Sequence, residues 1–153
     1  MLNKSILADR QLDDYLFQYE KYRNLHDEFV SARNKYLQYK TLSTRDQALT
    51  VNKEIAWQRD EVLRTYLILL RKRVNEALVS PVSLKEDMQK ELDKQISWFS
   101  EHQKEIKYTE ESDYEEIFKL VKETEDDEAK IYKTIYKSLL LIKMGRIQEA
   151  QQE

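Results

Sequence analysis

The chain has 153 residues, a formal net charge of −3, and charged side chains at 36% of its positions. A single glycine and a single proline exclude sheets built on tight hairpins, because left-handed turn positions mostly require glycine. The lack of cysteine excludes a disulfide framework, and the acidic balance argues against a general affinity for nucleic acid. The composition predicts a single all-α domain over residues 1–153.

The first two predicted helices are long and nearly equal in length, spanning residues 5–41 and 45–79. Their apolar side chains recur every three or four residues, which is the spacing of one face of an α-helix. Residues 41–44 interrupt this pattern, and Ser43 or Thr44 is positioned to cap the second helix. Three tyrosines of the first stripe are interpreted as core residues with hydroxyl groups at the solvent edge: Tyr15, Tyr19 and Tyr22.

Two further helices are predicted after Pro81, which ends the second helix because proline cannot donate to the helical hydrogen-bond ladder. They span residues 84–107 and 113–144. Gly145 is a candidate C-terminal cap, and residues 146–153 are expected to form a frayed helical tail. The predicted inner stripe of the last helix consists of Tyr114, Ile117, Val121, Ile131, Tyr132, Ile135, Leu139 and Ile142.

Short connections make sequential helices antiparallel neighbours, so four helices of this kind predict an antiparallel, up-down-up-down bundle. The alternative is an extended helical hairpin or coiled coil whose core is completed by partner chains. Both arrangements have the same apolar stripes, and both stay open at this point.

The sequence contains no recognisable catalytic or metal-binding motif. A chain with one glycine excludes the glycine-rich nucleotide loops and the Gly-x-Ser-x-Gly nucleophile elbow. Helical di-iron sites use Glu-x-x-His pairs, but Arg23 and Phe99 stand three residues before His26 and His102. We therefore predict no catalytic residues, no metal site and no cofactor, and we expect both histidines at the edge of the core.

Large apolar residues opposite the inner stripes are the first candidate interface. At 100° per residue, Trp57, Ile68 and Val79 lie nearly opposite the inner stripe of the second helix, while Ile6 and Phe17 lie opposite that of the first. We predict that Phe17, Trp57, Ile68 and Val79 contact a protein partner or a second copy of the chain. In the alternative reading, the third and fourth helices cover these side chains.

A local basic cluster is the second candidate site, formed by Arg64, Arg71, Lys72 and Arg73 near the end of the second helix. Such a cluster suits phosphate groups of nucleic acid or of an anionic membrane. Residues 110–128 are strongly acidic, and both charge runs lie where helix dipoles favour them. Dipole complementarity is therefore a sufficient explanation of both runs.

These observations predict a non-catalytic structural or protein-interaction module that binds another protein or itself. The alternative function is an adaptor for nucleic acid or an anionic membrane surface, acting through the basic cluster. We do not expect a small-molecule ligand, because such a ligand would require a cavity between helices. The sequence shows neither a signal peptide nor an apolar run that could span a bilayer, so we expect a cytoplasmic protein by default; a mature secreted form would look the same.

Overall fold

A computed structural model describes the backbone of residues 2–152 and the side chains of residues 10–152, so the side chain of Ile6 lies outside the described residues. The described residues form five helices and no strands: α1 (Leu2–Tyr39), α2 (Leu42–Glu76), α3 (Val82–Tyr108), α4 (Tyr114–Asp126) and α5 (Glu128–Gln152). They pack as an all-α bundle, which confirms the predicted fold class. No helix of the described chain is both long and apolar enough to cross a bilayer.

Helices α1 and α2 form an antiparallel hairpin with a two-residue connection. The turn comes slightly earlier than predicted, because Thr41 caps α2 instead of Ser43 or Thr44. The Thr41 hydroxyl accepts a hydrogen bond from the Thr44 amide, and the Thr44 hydroxyl accepts one from the Thr41 amide. Before the turn, Lys40 adopts a left-handed conformation with φ of 50° and its amide donates to the Tyr36 carbonyl.

Helix α1 packs on α2 and on no other helix within the described residues. Most of its less exposed side chains recur at alternating steps of three and four residues: Tyr15, Gln18, Tyr22, Leu25, Phe29, Ala32 and Tyr36. The rings of Tyr15 and Tyr66 lie 5.0 Å apart, and the Gln58 side-chain amide donates to the side-chain oxygen of Gln18 at 2.8 Å. Most of these α1 side chains stay half-buried, because a single neighbouring helix covers only one side of each.

Helix α2 lies at the centre of the bundle and contacts all four other helices. It ends at Glu76, three residues before the predicted end, because Ala77 adopts an extended conformation that leads into the connection to α3. The side of α2 away from α1 joins α3 and α5 in the main apolar core. That core contains Leu67, Leu70, Val74, Val79, Met88, Leu92, Phe99, Ile131, Ile135 and Leu141.

The predicted fourth helix is divided at Asp127 into α4 and α5. Four consecutive acidic residues, 125–128, surround the break. Acidic side chains are unfavourable at the end of one helix and favourable at the start of the next, so a break at this point suits both helix dipoles. Helix α5 then continues through the segment expected to fray and reaches Gln152.

Gly145 lies inside α5 and is not a C-terminal cap. A Cβ atom at this position would stand 3.0 Å from the Ala77 Cβ and 3.3 Å from Val79 Cγ2. The missing side chain therefore lets α5 approach the segment that connects α2 to α3.

Candidate interaction surfaces

The four residues predicted as an outer interface do not share one surface. Phe17 is 60% exposed on α1, Trp57 and Ile68 are half-buried, and Val79 is 6% exposed within the main core. The predicted exposure of Val79 is therefore wrong, because α5 covers the α2–α3 connection around Gly145. Trp57 packs against a second apolar cluster between α2, α3 and α4, so the covered reading fits this residue better.

The basic cluster is largely neutralised by neighbouring carboxylates. Arg64 donates two hydrogen bonds, of 2.9 and 2.8 Å, to the carboxylate of Glu61. Arg71 pairs with Asp93 of α3, and Arg73 lies 3.9 Å from Glu76. Lys72 is half-buried. The three arginines therefore each lie beside a carboxylate of a neighbouring residue or helix.

A buried polar network that sequence reasoning did not find joins α2, α3 and α4. Asp60 is fully buried, and one of its carboxylate oxygens accepts a hydrogen bond of 2.5 Å from Nδ1 of His102. The other oxygen accepts one of 3.2 Å from the Thr124 hydroxyl. The His102 ring is stacked on Trp98, with 4.7 Å between centroids. Side chains from α3 and α4 thus converge on a single carboxylate of α2.

The environment of His102 favours its protonated form. Burial lowers the pKa of His102, but the hydrogen bond to Asp60 and the negative charges of Asp60, Glu123 and Glu105 outweigh burial and raise the pKa above the ordinary histidine value. Its Nε2 atom has no hydrogen-bond partner among the described residues and lies 3.7 Å from Glu123 Oε2. The hydrogen bond and the neighbouring carboxylates therefore stabilise the protonated form of His102 relative to its neutral form.

The Asp60–His102 pair is enclosed within the bundle. Aspartate and histidine form general bases in many enzymes, but such a base must reach the proton it removes. Here His102 is 2% exposed, and the nearby Thr124 hydroxyl donates to Asp60 instead of facing the imidazole Nε2. We therefore assign this network a structural role, holding α3 and α4 against α2.

Two clefts flank α1, because that helix contacts only α2 in the described part of the chain. One, of about 670 Å³, lies between α1, α2 and α3 and is lined by Leu25, Lys53, Trp57 and Ile106, among others. The amine of Lys53 already donates to the carbonyls of Lys107 and Thr109. The other, of about 600 Å³, lies between α1, α2 and the junction of α4 with α5.

Exposed large apolar side chains are found on α5, and α1 carries as many of them. Five large apolar side chains of α5 are 43–70% exposed: Tyr132, Tyr136, Leu139, Leu140 and Ile147. Projected at 100° per residue, they fall within an arc of about 100°. A shallow hollow on this face is lined entirely by α5 residues, including Lys133 and Lys137. We call these five side chains the α5 apolar row.

Two members of the row, Tyr132 and Leu139, were predicted to lie on the inner stripe of the last helix. The prediction is wrong, because α5 carries apolar residues on more than half of its circumference and its opposite side, at Ile131, Thr134, Ser138 and Leu141, is the buried one. The excess of apolar residues was a usable signal, since a single inner stripe does not account for all of them.

Comparison with protein-family models, with curated proteins and with solved structures gave no match to this chain.

Proposed function

We propose that this chain is a non-catalytic protein-interaction module whose principal binding surface is the α5 apolar row. The observation that carries the proposal is the exposure of five large apolar side chains along one side of a single well-packed helix. Burying a large apolar side chain contributes roughly 1.5–3 kcal/mol, so a row of five offers a partner substantial binding energy. Exposed apolar side chains grouped on one side of a helix are typical of protein interfaces.

The spacing of the row supports a helix as the partner element. Tyr132, Tyr136 and Leu139 follow one another at steps of four and three residues, and Leu140 and Ile147 are seven residues apart. Steps of three, four and seven residues are the positions from which a helix inserts side chains between those of another helix. We infer that the hairpin of α1 and α2 already uses the same spacing internally, as an antiparallel coiled coil.

The alternative adaptor function has less support. Arg64, Arg71 and Arg73 each contact a carboxylate, which reduces the positive field available to phosphate groups. An acid–base enzyme has equally little support, because the Asp60–His102 pair is enclosed.

Site-specific photo-crosslinking tests the proposal in cells of the source organism. A photoreactive phenylalanine analogue replaces Tyr136, which is 70% exposed in the middle of the row. The matched control carries the same analogue at Lys35, an exposed residue of α1. We expect discrete adducts from position 136 that are missing at position 35.

Two results would overturn the proposal. One is the absence of any adduct from position 136, and the other is the same adduct pattern from both positions. Circular dichroism of both purified variants checks that each retains the helical fold, so that a negative result reports on the surface and not on misfolding.

A further inference from the structure

We infer that the cleft between α1, α2 and the α4–α5 junction binds a quaternary ammonium group, the cation found in choline and in trimethylated lysine. The cleft has a volume of about 600 Å³, which is within the usual range of ligand pockets. The sequence predicted no cavity between helices, and this cleft supplies the space that such a ligand requires. The inference goes beyond the proposed function, because it concerns this cleft and not the partner of the α5 apolar row.

Three tyrosines from two helices provide aromatic rings in the lining of the cleft. Tyr19 and Tyr22 are three residues apart on one side of α1, and Tyr132 belongs to α5. None of the three is fully covered: Tyr19 and Tyr132 are 44% and 46% exposed, and Tyr22 is half-buried. The negative face of an aromatic ring attracts a cation, and proteins bind quaternary ammonium groups with several such rings around one space.

The aliphatic part of the lining suits methyl groups. Val62, Leu63 and Ile131 are its apolar side chains. A primary ammonium group that enters such a space loses hydrogen bonds to water and needs an acceptor for each of its three N–H groups. A quaternary ammonium group has no N–H group to satisfy, and its methyl groups pack against aliphatic side chains. The lining therefore favours a quaternary ammonium group over a primary amine.

Carboxylates at the α4–α5 junction determine the sign of the ligand's charge. Glu125 and Glu128 line the cleft together with one cation, Arg59, so these three side chains sum to −1. The carboxylate of Glu128 lies beside the hydroxyl of Tyr132 and raises the pKa of that phenol. A negative charge therefore adjoins one of the aromatic rings, and both features attract a cation.

The guanidinium of Arg59 is held by groups of its own chain. Its Nη2 donates to the Val121 carbonyl at 3.0 Å, and its Nη1 lies 3.9 Å from Glu125 Oε1. Its Nε is buried and lies 3.9 Å from Asp60 Oδ1, so this atom is not accessible from the cleft. Two carboxylates thus share the positive charge of Arg59, which leaves Glu128 as the carboxylate available to a cationic ligand.

Titration of the isotope-labelled full chain, followed in amide proton–nitrogen correlation spectra, tests the inference. The probe is choline, and its matched control is the neutral carbon isostere, in which a tert-butyl group replaces the trimethylammonium group. Sodium chloride at equal concentration accounts for general effects of salt. We expect saturable shifts of amides around the cleft, and a dissociation constant for the isostere at least about fivefold higher than that for choline.

Two variants test the aromatic ring and the charge separately. Tyr22→Leu removes a ring and keeps an apolar side chain, whereas Glu128→Gln removes a charge and keeps the size of the side chain. Each should raise the dissociation constant for choline about threefold or more. The matched controls, Tyr108→Leu and Glu86→Gln, change exposed residues of α3 outside the cleft and should leave binding unchanged. Circular dichroism and thermal melts of every variant separate loss of binding from loss of fold.

A short peptide that carries trimethyllysine distinguishes the two sources of the group. Tighter binding of this peptide than of choline identifies a protein side chain as the source, and tighter binding of choline identifies a free small molecule. Either result supports recognition of a quaternary ammonium group. The same peptide with unmodified lysine should bind at least about fivefold more weakly than the trimethylated form.

The inference is wrong if neither choline nor the trimethyllysine peptide gives saturable shifts around the cleft. It is also wrong if choline and its neutral isostere bind equally, or if folded Tyr22→Leu and Glu128→Gln both bind choline as wild type does. Neither of these two residues belongs to the α5 apolar row. Crosslinking from position 136 therefore tests the proposed function independently of this cleft.

Discussion

Replacement of Asp60 by alanine is expected to be among the most destabilising single changes in this chain. The carboxylate of Asp60 is fully buried and accepts hydrogen bonds from His102 and Thr124. Removing it takes the nearest carboxylate and the hydrogen-bond acceptor of Nδ1 from the buried imidazole, and breaking a buried pair in this way costs about 3–5 kcal/mol. A domain of this size has a free energy of unfolding of about 5–15 kcal/mol, so the loss is a large share of the total.

Urea unfolding followed by circular dichroism measures this loss. With a slope of about 2 kcal/mol per molar urea, a cost of 3–5 kcal/mol lowers the midpoint by roughly 2 M. The matched control is Asp93→Ala, which also removes an aspartate that links α3 to α2, through Arg71. That pair is about half exposed, so its loss should cost no more than about 1 kcal/mol. Asp60→Asn, which keeps an acceptor for His102, should fall between the two.

Similar decreases of the urea midpoint in Asp60→Ala and Asp93→Ala would contradict a larger contribution from the buried carboxylate. If Asp60→Asn were as destabilising as Asp60→Ala while both variants remained folded, the hydrogen bond to His102 would make no separate contribution to stability.

Three further changes test other parts of the structure. Because the pKa of His102 is raised on folding, its stabilising contribution is complete below the unfolded pKa of about 6.5 and is lost as pH rises through the folded value. The urea midpoint should therefore decline with rising pH in wild type and in His26→Gln, and it should change less with pH in His102→Gln. Equal pH dependence in wild type and His102→Gln would contradict a protonated His102. Gly145→Leu should lower the melting temperature through an overpacking cost of about 1–3 kcal/mol, and an unchanged melting temperature would contradict the close approach of α5 to Ala77. Thr41→Ala should cost about 1 kcal/mol in urea unfolding through loss of the α2 cap, whereas Thr41→Ser should be nearly neutral.

Residue spacing and proline position predicted where most of the helices lie. Several members of the predicted first stripe are half-buried against α2, including Tyr15, Tyr22 and Phe29. Tyr19, His26 and Leu37 were predicted on the same stripe and are exposed, because a single neighbouring helix covers only a narrow side of α1. Pro81 separates α2 from α3 as expected, because its effect on the helical ladder acts within a few residues. The division at Asp127 was missed, since four acidic residues reduce helical preference without abolishing it.

The candidate surfaces were harder to predict, because α2 and α5 both carry apolar residues on more than one side. A helical projection shows that such faces exist but not which of them another helix covers. Val79 was expected outside and is covered by α5, whereas Tyr132 and Leu139 were expected inside and are exposed. Each outcome depends on where a neighbouring helix packs.

The sequence by itself determined the all-α class, the approximate helix boundaries and the amphipathic stripes, because helix propensity, capping and periodicity depend on residues within about two turns of one another. Tertiary structure alone decided that α1 contacts only α2 in the described chain and that Asp60 meets His102 across 42 positions. It also decided that the α5 apolar row is left uncovered. These features depend on which helix faces meet in space, and that choice is made by the combined packing of all five helices and not by any local segment.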